Sequence, residues 1–341
     1  YVLNNSNTVQ TEPIYRLAKQ NQITQNISLW KGRRNENGQI SLQSIDSKEI
    51  MKPFELNKYI ISQLQITNGT NTTLSKPTLS DIDSAIVWML RKDLHRKLPS
   101  LLNDVKKWID LLSIYYPGSD LVKNFLHYLN EFMKNRNTLS SMELQNYVNS
   151  TSTIKLPDLK LNHCNGSDTT KRGYPCTLWT LFHSMTVKQA LLAEQNKLPS
   201  NTKPSNMIVS IREFIRKFFL CEECAAHFIN MTSNAENEID SYKGCVLYLW
   251  RGHNKVNQRL RYDVISNDPV WPKVPFPTKQ QCHLCVVKID EKGDALEYDE
   301  NETYNYLKRF YQLTNKADNQ NYNHALLLWF FLFSFSTLCS Y

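Results

Sequence analysis

The chain of 341 residues sets 40 Lys and Arg against 32 Asp and Glu, a formal charge of +8 spread along its length. No arginine cluster interleaves with aromatics, which sets nucleic acid aside as a partner. With only 9 glycines, 41% hydrophobic residues and recurrent 3.6-residue periodicity, the composition excludes a low-complexity chain and predicts an all-α fold with room for two domains.

In chain order, residues 1–76 give weak signals. Tyr1-Val-Leu resembles the end of a strand, 54–64 a short amphipathic helix, and Gly69 to Pro77 a linker. We read this region as the end of an upstream domain plus a connector. Residues 77–158 predict a small helical bundle. Ser80 or Asp81 can cap a helix running to Leu90. Apolar positions at Val105, Trp108, Leu111, Leu112 and Tyr115 mark a second helix over 101–116, Pro117-Gly118 breaks it, and the pattern resumes over 121–133.

That bundle has a counterpart. Residues 115–125 align without a gap on 218–228, and upstream Val105, Trp108, Leu111 and Leu112 fall on Ile208, Ile211, Phe214 and Ile215. The apolar skeleton repeats, yet Gly118 stands at the place of Cys221, Leu121 at that of Cys224 and Asn124 at that of His227. The pattern predicts an internal duplication whose first copy has lost its chemistry.

Residues 159–292 carry the chemistry. Helices are expected over Thr177–Asn196, Asn206–Leu220, Glu223–Met231 and Ile239–Val256. Cys164 and Cys176 flank a loop and suit a structural disulfide worth roughly 2–3 kcal/mol. Trp179 and His183, four apart, share one helical face, and His227 lies three beyond Cys224. Cys221-Glu-Glu-Cys224 opens a helix, where the dipole favours thiolate. Aromatic and imidazole faces beside a dithiol suggest a flat redox cofactor. A zinc site from Cys221, Cys224, Cys282 and Cys285 is the competing reading, although whole helices separate the two pairs. Structural disulfides alone in a non-catalytic helical adaptor are a further alternative. Cys245, at an apolar helical position, reads as a buried free thiol.

Residues 293–323 read as a linker. Residues 324–341 read as a hydrophobic tail, uncharged from Ala325 to Tyr341, at the short limit for a single-pass membrane anchor. Eight Asn-x-Ser/Thr sequons, at Asn4, Asn26, Asn68, Asn71, Asn149, Asn165, Asn230 and Asn301, together with the clustered cysteines, favour the secretory pathway, as a Golgi or extracellular protein.

Four motifs in order, Arg-Gly-Tyr-Pro-Cys-x-Leu-Trp-x-Leu-Phe-His, Cys-x-x-Cys-Ala-x-His-Phe, Trp-x-x-His-Asn-x-Val-Asn and Pro-Lys-Val, resemble the FAD-binding sulfhydryl oxidase domain of the quiescin sulfhydryl oxidases. The resemblance covers about 160–290, and residues 80–135 are similar to that family's flavin-free oxidase-like module. It implies two packed helical modules, with residues 1–76 the remnant of an upstream thioredoxin-like domain. It also implies FAD as cofactor, no metal, reduced protein thiols and small dithiols as substrates, and dioxygen reduced to hydrogen peroxide. Cys221–Cys224 would be the redox disulfide, Cys221 exchanging with substrate and Cys224 facing the isoalloxazine. Arg172, Trp179, His183, Glu223, His227, Trp250, His253, Asn254, Val256, Asn257, Lys273 and Phe276 would line the FAD. Phe276 stands where relatives often have Trp, and Cys282–Cys285 matches a distal pair.

Overall fold

The computed structural model describes residues 2–3, 9–10, 28–34, 40–45, 76–150, 155–263, 265–291 and 293–313. The expected helix at 54–64, most of the linker before Pro77 and the apolar tail lie outside the described residues. Two compact units divide the chain. The first gathers 1–73, 166–172 and 256–274, and the second 74–165, 173–255 and 275–341.

In the first unit, β1 (Val2–Leu3), β2 (Val9–Gln10), β3 (Ser28–Arg34) and β4 (Ile40–Ile45) form an antiparallel sheet in the order β2-β1-β3-β4, with Leu29 opposite Ile45 and Arg34 opposite Ile40. The described residues are nonetheless mostly helical, as the composition predicts, and this small sheet is an addition to that fold. The short alternating run Ile-Ser-Leu-Gln-Ser-Ile is the local pattern that suits a strand.

The second unit is mostly helical. α1 (Leu79–Trp88) has Thr78 as its N-cap, two residues before the first of the expected caps. Asp81 reaches back to the Thr78 backbone N–H at 3.0 Å and also accepts the N–H groups of Asn162, His163 and Cys164. Burial pushes the Asp81 carboxyl up, but the hydrogen bonds from Cys164, Thr78 and Asn162 outweigh it and hold the carboxyl below its ordinary value. α1 does not run to Leu90 as an α-helix. A π-helical turn (Met89–Asp93) and a 3₁₀ turn (Leu94–Lys97) follow it.

α2 (Leu102–Tyr115) and α3 (Asp120–Lys134) form a hairpin, with Ser119 Oγ accepting the Val122 N–H at the start of α3. α4 (Ser141–Ser150) closes the first module. The second module contains α5 (Gly173–Glu194), α6 (Asn206–Phe218), α7 (Glu222–Met231), the short α8 (Ala235–Glu238) and α9 (Tyr242–Leu260). The aligned residues Tyr115 and Phe218 are each the last of their helix, α2 and α6.

One apolar core runs through both modules. Trp108 of α2 stacks on Phe214 of α6 at 4.6 Å and 19°, and meets Phe182 of α5 edge-on. Lys217 adds an ion pair to Asp104 at 2.5 Å.

The stretch expected to be linker from 293 is structured. β5 (Val286–Ile289) pairs with β6 (Ala295–Tyr298), and α10 (Glu300–Tyr311) buries Leu307, Phe310 and Tyr311 against Val187 of α5 and Trp250 of α9. The spacing of Thr303, Leu307 and Phe310 is a helical stripe that the charged surroundings disguise. Among the described residues, no helix is long and apolar enough to cross a membrane.

Candidate active site

Six cysteines are paired: Cys164–Cys176, Cys221–Cys224 and Cys282–Cys285. Cys245 is free and fully buried, and burial pushes its thiol up to about 12, against a hydrogen bond at Ile208, so it stays protonated and unreactive. The thiols of the alternative zinc site do not converge. Among the described residues the candidate metal-ligand group is His163 with Cys164 and Cys176, and those two sulfurs are bonded to each other.

The Cys221–Cys224 disulfide sits where α7 begins. Cys221 is the N-cap and its Sγ accepts the Cys224 N–H at 3.2 Å. The helix dipole therefore favours thiolate on Cys221, while Glu222 and Glu223 in the first turn oppose it. Cys224 is the more exposed of the pair. Cys224 and Phe228 share a face of α7 at i, i+4, and Phe228 lies 5.9 Å from Trp179 of α5.

Trp179 opens a run of rings. It stacks on His253 of α9 at 4.0 Å and 5°, and His253 Nδ1 lies 3.1 Å from His183 Nε2. His183 also stacks on Tyr311 of α10 at 4.6 Å and 12°. Tyr311 was not legible as a site residue because its helix was read as linker. The recurrence of Leu307, Phe310 and Tyr311 could have found it.

Burial pushes the His183 imidazole down to about 3, and its Nδ1 is buried with no hydrogen-bond partner. A base depressed on folding stabilises the folded state fully above the unfolded value of 6.5 and loses that stability as pH falls toward 3. Protonation should remove about 3–5 kcal/mol. Urea unfolding of the wild type should show this loss between pH 6.5 and 4, and His183→Phe should flatten it. An unchanged slope in the variant would mean that His183 does not titrate in this window.

Other predicted residues act on the backbone. Trp250 Nε1 and Asn254 Nδ2 both donate to the Phe276 carbonyl, at 2.5 and 2.7 Å, and Asn254 Oδ1 accepts the Phe276 N–H at 2.9 Å. The Phe276 ring packs on Tyr306 and Phe310. Glu223 and His227 lie 4.0 Å apart on the exposed side of α7, at 72% and 48% exposure.

Arg172, Val256, Asn257 and Lys273 belong to the first unit. Arg172 has a left-handed φ of 58°, a conformation rarely held without cause, and its guanidinium lies 5.8 Å from the Trp271 ring. Asn257 Nδ2 donates to the Val274 carbonyl at 3.3 Å, and half-buried Val256 precedes it. Lys273 donates its N–H to Asn267 Oδ1 and its ammonium to the Ser266 carbonyl. Burial, then the like charge of Arg172, pushes Lys273 down to about 8, against Asp263 and Asp268.

Residues 176–276 match the Erv1 / Alr family, and residues 74–167 match the family described as flavin adenine dinucleotide (FAD)-dependent sulfhydryl oxidase. A solved structure, the sulfhydryl oxidase fragment of human QSOX1, is 31% identical with a TM-score of 0.60, covering 71% of this chain and 99% of the fragment. The chain belongs to the quiescin sulfhydryl oxidase family. Sulfhydryl oxidase 1 of Homo sapiens is 34% identical over 249 residues, 71% of this chain and 32% of that protein. Sulfhydryl oxidase 2 of Mus musculus is 31% identical over 288 residues, 82% of this chain and 41% of that protein. The chain thus spans well under half the length of these sulfhydryl oxidases.

The family described as FAD-dependent sulfhydryl oxidase matches residues 74–167, and the first module within that range, 77–158, holds no cysteine. A Cβ at Gly118 would sit 2.0 Å from Tyr116 Oη, and that hydroxyl is held by hydrogen bonding to buried Asp83. No cysteine fits there in this packing.

Proposed function

We propose that this chain is an FAD-linked thiol oxidase that converts dithiols of small molecules or reduced proteins into disulfides, with dioxygen reduced to hydrogen peroxide. The observation that carries the reading is the exposed Cys221–Cys224 disulfide on α7, joined through Phe228 to the half-buried Trp179 and His253 rings. The donor set fits a flavin nucleotide. Aromatic faces suit a flat ring, and buried His183 Nδ1 is a polar atom in want of a partner. Arg172 and Lys273 enter by their motifs, as like-charged neighbours that an anionic group would relieve.

A substrate thiolate attacks Cys221 Sγ, the Cys221–Cys224 bond breaks, and Cys224 leaves as thiolate. The substrate's second thiol then displaces Cys221, closing the product disulfide and leaving both site sulfurs reduced. FAD, held by the aromatic and imidazole residues named above, would supply the two-electron acceptor chemistry that links this dithiol to dioxygen. His183, kept neutral by burial, and His253 hold their rings in register through their shared hydrogen bond. Trp250 and Asn254 fix the Phe276 backbone and so shape the site as positioning residues.

We infer that the first module, lacking a dithiol, binds no flavin and serves as packing partner for the second. A secretory location is supported by the disulfides and by four exposed sequon asparagines among the described residues, Asn149, Asn165, Asn230 and Asn301. The anchor reading of the tail rests on its composition alone. The test is direct: purified chain should bind about one FAD and absorb in the blue. Folded protein that stays colourless on addition of FAD would refute the assignment.

A further inference from the structure

The Gly118 corner of the first module opens on a cavity of about 240 Å³. Its rim holds Pro117 and Gly118, the counterparts of Leu220 and Cys221. One side is α5, which contributes Ser184, Val187, Lys188 and Leu191, and another is the end of α10 with Leu313. Two ammonium groups, Lys123 and Lys188, line it, and no carboxylate does. Lys123 pairs outward with Asp120, which is 72% exposed. Lys188 has no ion pair among the described residues, and burial and then the like charges of Lys123 and Lys197 depress its ammonium. Ser184 is 1% exposed, and its Oγ has no hydrogen-bond partner.

A half-buried, unpaired cation beside a second cation and an unsatisfied buried hydroxyl is complementary to an anionic group. The rest of the lining, Val187, Leu191 and Leu313, is apolar and offers a carbon chain a place out of water. We propose that this cavity binds a small amphipathic carboxylate, its head on Lys188 and Ser184 and its apolar body along α5. The cavity contains neither Cys221 nor Cys224, though Tyr311, which stacks on His183, lines it, and carboxylate binding can be read without any oxidase activity.

Octanoate is the probe, titrated calorimetrically into the full chain, with octanol as the uncharged control and inorganic phosphate as the head without a body. Octanoate should bind once per chain with a dissociation constant below about 1 mM, and at least about tenfold more tightly than either control. Lys188→Met should weaken octanoate about tenfold or more while leaving octanol unchanged, and Lys188→Arg should retain binding. No saturable octanoate binding up to about 10 mM, octanol or phosphate binding as tightly, or full affinity in Lys188→Met would each overturn the proposal.

Discussion

Cys224→Ser in the FAD-loaded chain is expected to lower thiol-dependent oxygen uptake about a thousandfold or more while leaving the flavin bound. The loss follows from chemistry rather than packing. A lone thiol cannot take two electrons by exchange, because it offers the substrate thiolate no disulfide to attack. Cys221→Ser should be equally inactive, and trapping separates the two. If Cys221 is the exchange sulfur, Cys224→Ser offered glutathione disulfide exchanges with it, releasing one glutathione thiolate and keeping the other as a mixed disulfide at Cys221, readable by mass spectrometry, and Cys221→Ser accumulates far less. The geometry makes this a real contest. Cys221 is the N-cap and its sulfur receives a backbone N–H, which stabilises its thiolate as leaving group, whereas Cys224 is the more exposed target. Preferential trapping at Cys224 would reverse the assigned order.

Trp108→Ala should be the most destabilising single change, costing about 3–5 kcal/mol in urea unfolding. Trp108 is 4% exposed, stacks on Phe214, meets Phe182 edge-on and donates its indole N–H to Met89 Sδ. Phe214 belongs to α6, which leads into the dithiol, so damage begun in the first module reaches the second. The shared core predicts one cooperative transition for both modules. A cost below about 1 kcal/mol, or separate transitions for α1–α4 and α5–α9, would show that the stack does not couple them.

Periodicity located α2, α3, α6 and α7 to within about two residues of the observed ends, because each buries one continuous stripe. It misplaced the end of α1, where π and 3₁₀ turns carry the chain on through Lys97 with residues still buried. It missed β5, β6 and α10. The strands are four residues each and bury only their first residue fully, and the α10 stripe is embedded in Glu, Asn and Lys. At the site, the ring stack of Trp179, His183 and His253 followed from helical spacing and motif. The backbone clamp on Phe276 did not, since a hydrogen bond from Asn254 to a residue beyond the helix leaves no trace in periodicity. The alignment of Gly118 with Cys221 was legible, but the Tyr116 hydroxyl that a Cβ at 118 would meet was not, because it is a tertiary contact.

Simultaneous measurement of oxygen, peroxide and thiol with dithiothreitol tests the central claim most directly. The account predicts one dioxygen consumed and one hydrogen peroxide formed for every two thiols lost by the FAD-loaded wild type, with all three rates collapsing together in Cys224→Ser. Thiol loss without matching oxygen uptake, or oxygen uptake that survives in Cys224→Ser, would contradict an oxidase working through the Cys221–Cys224 disulfide.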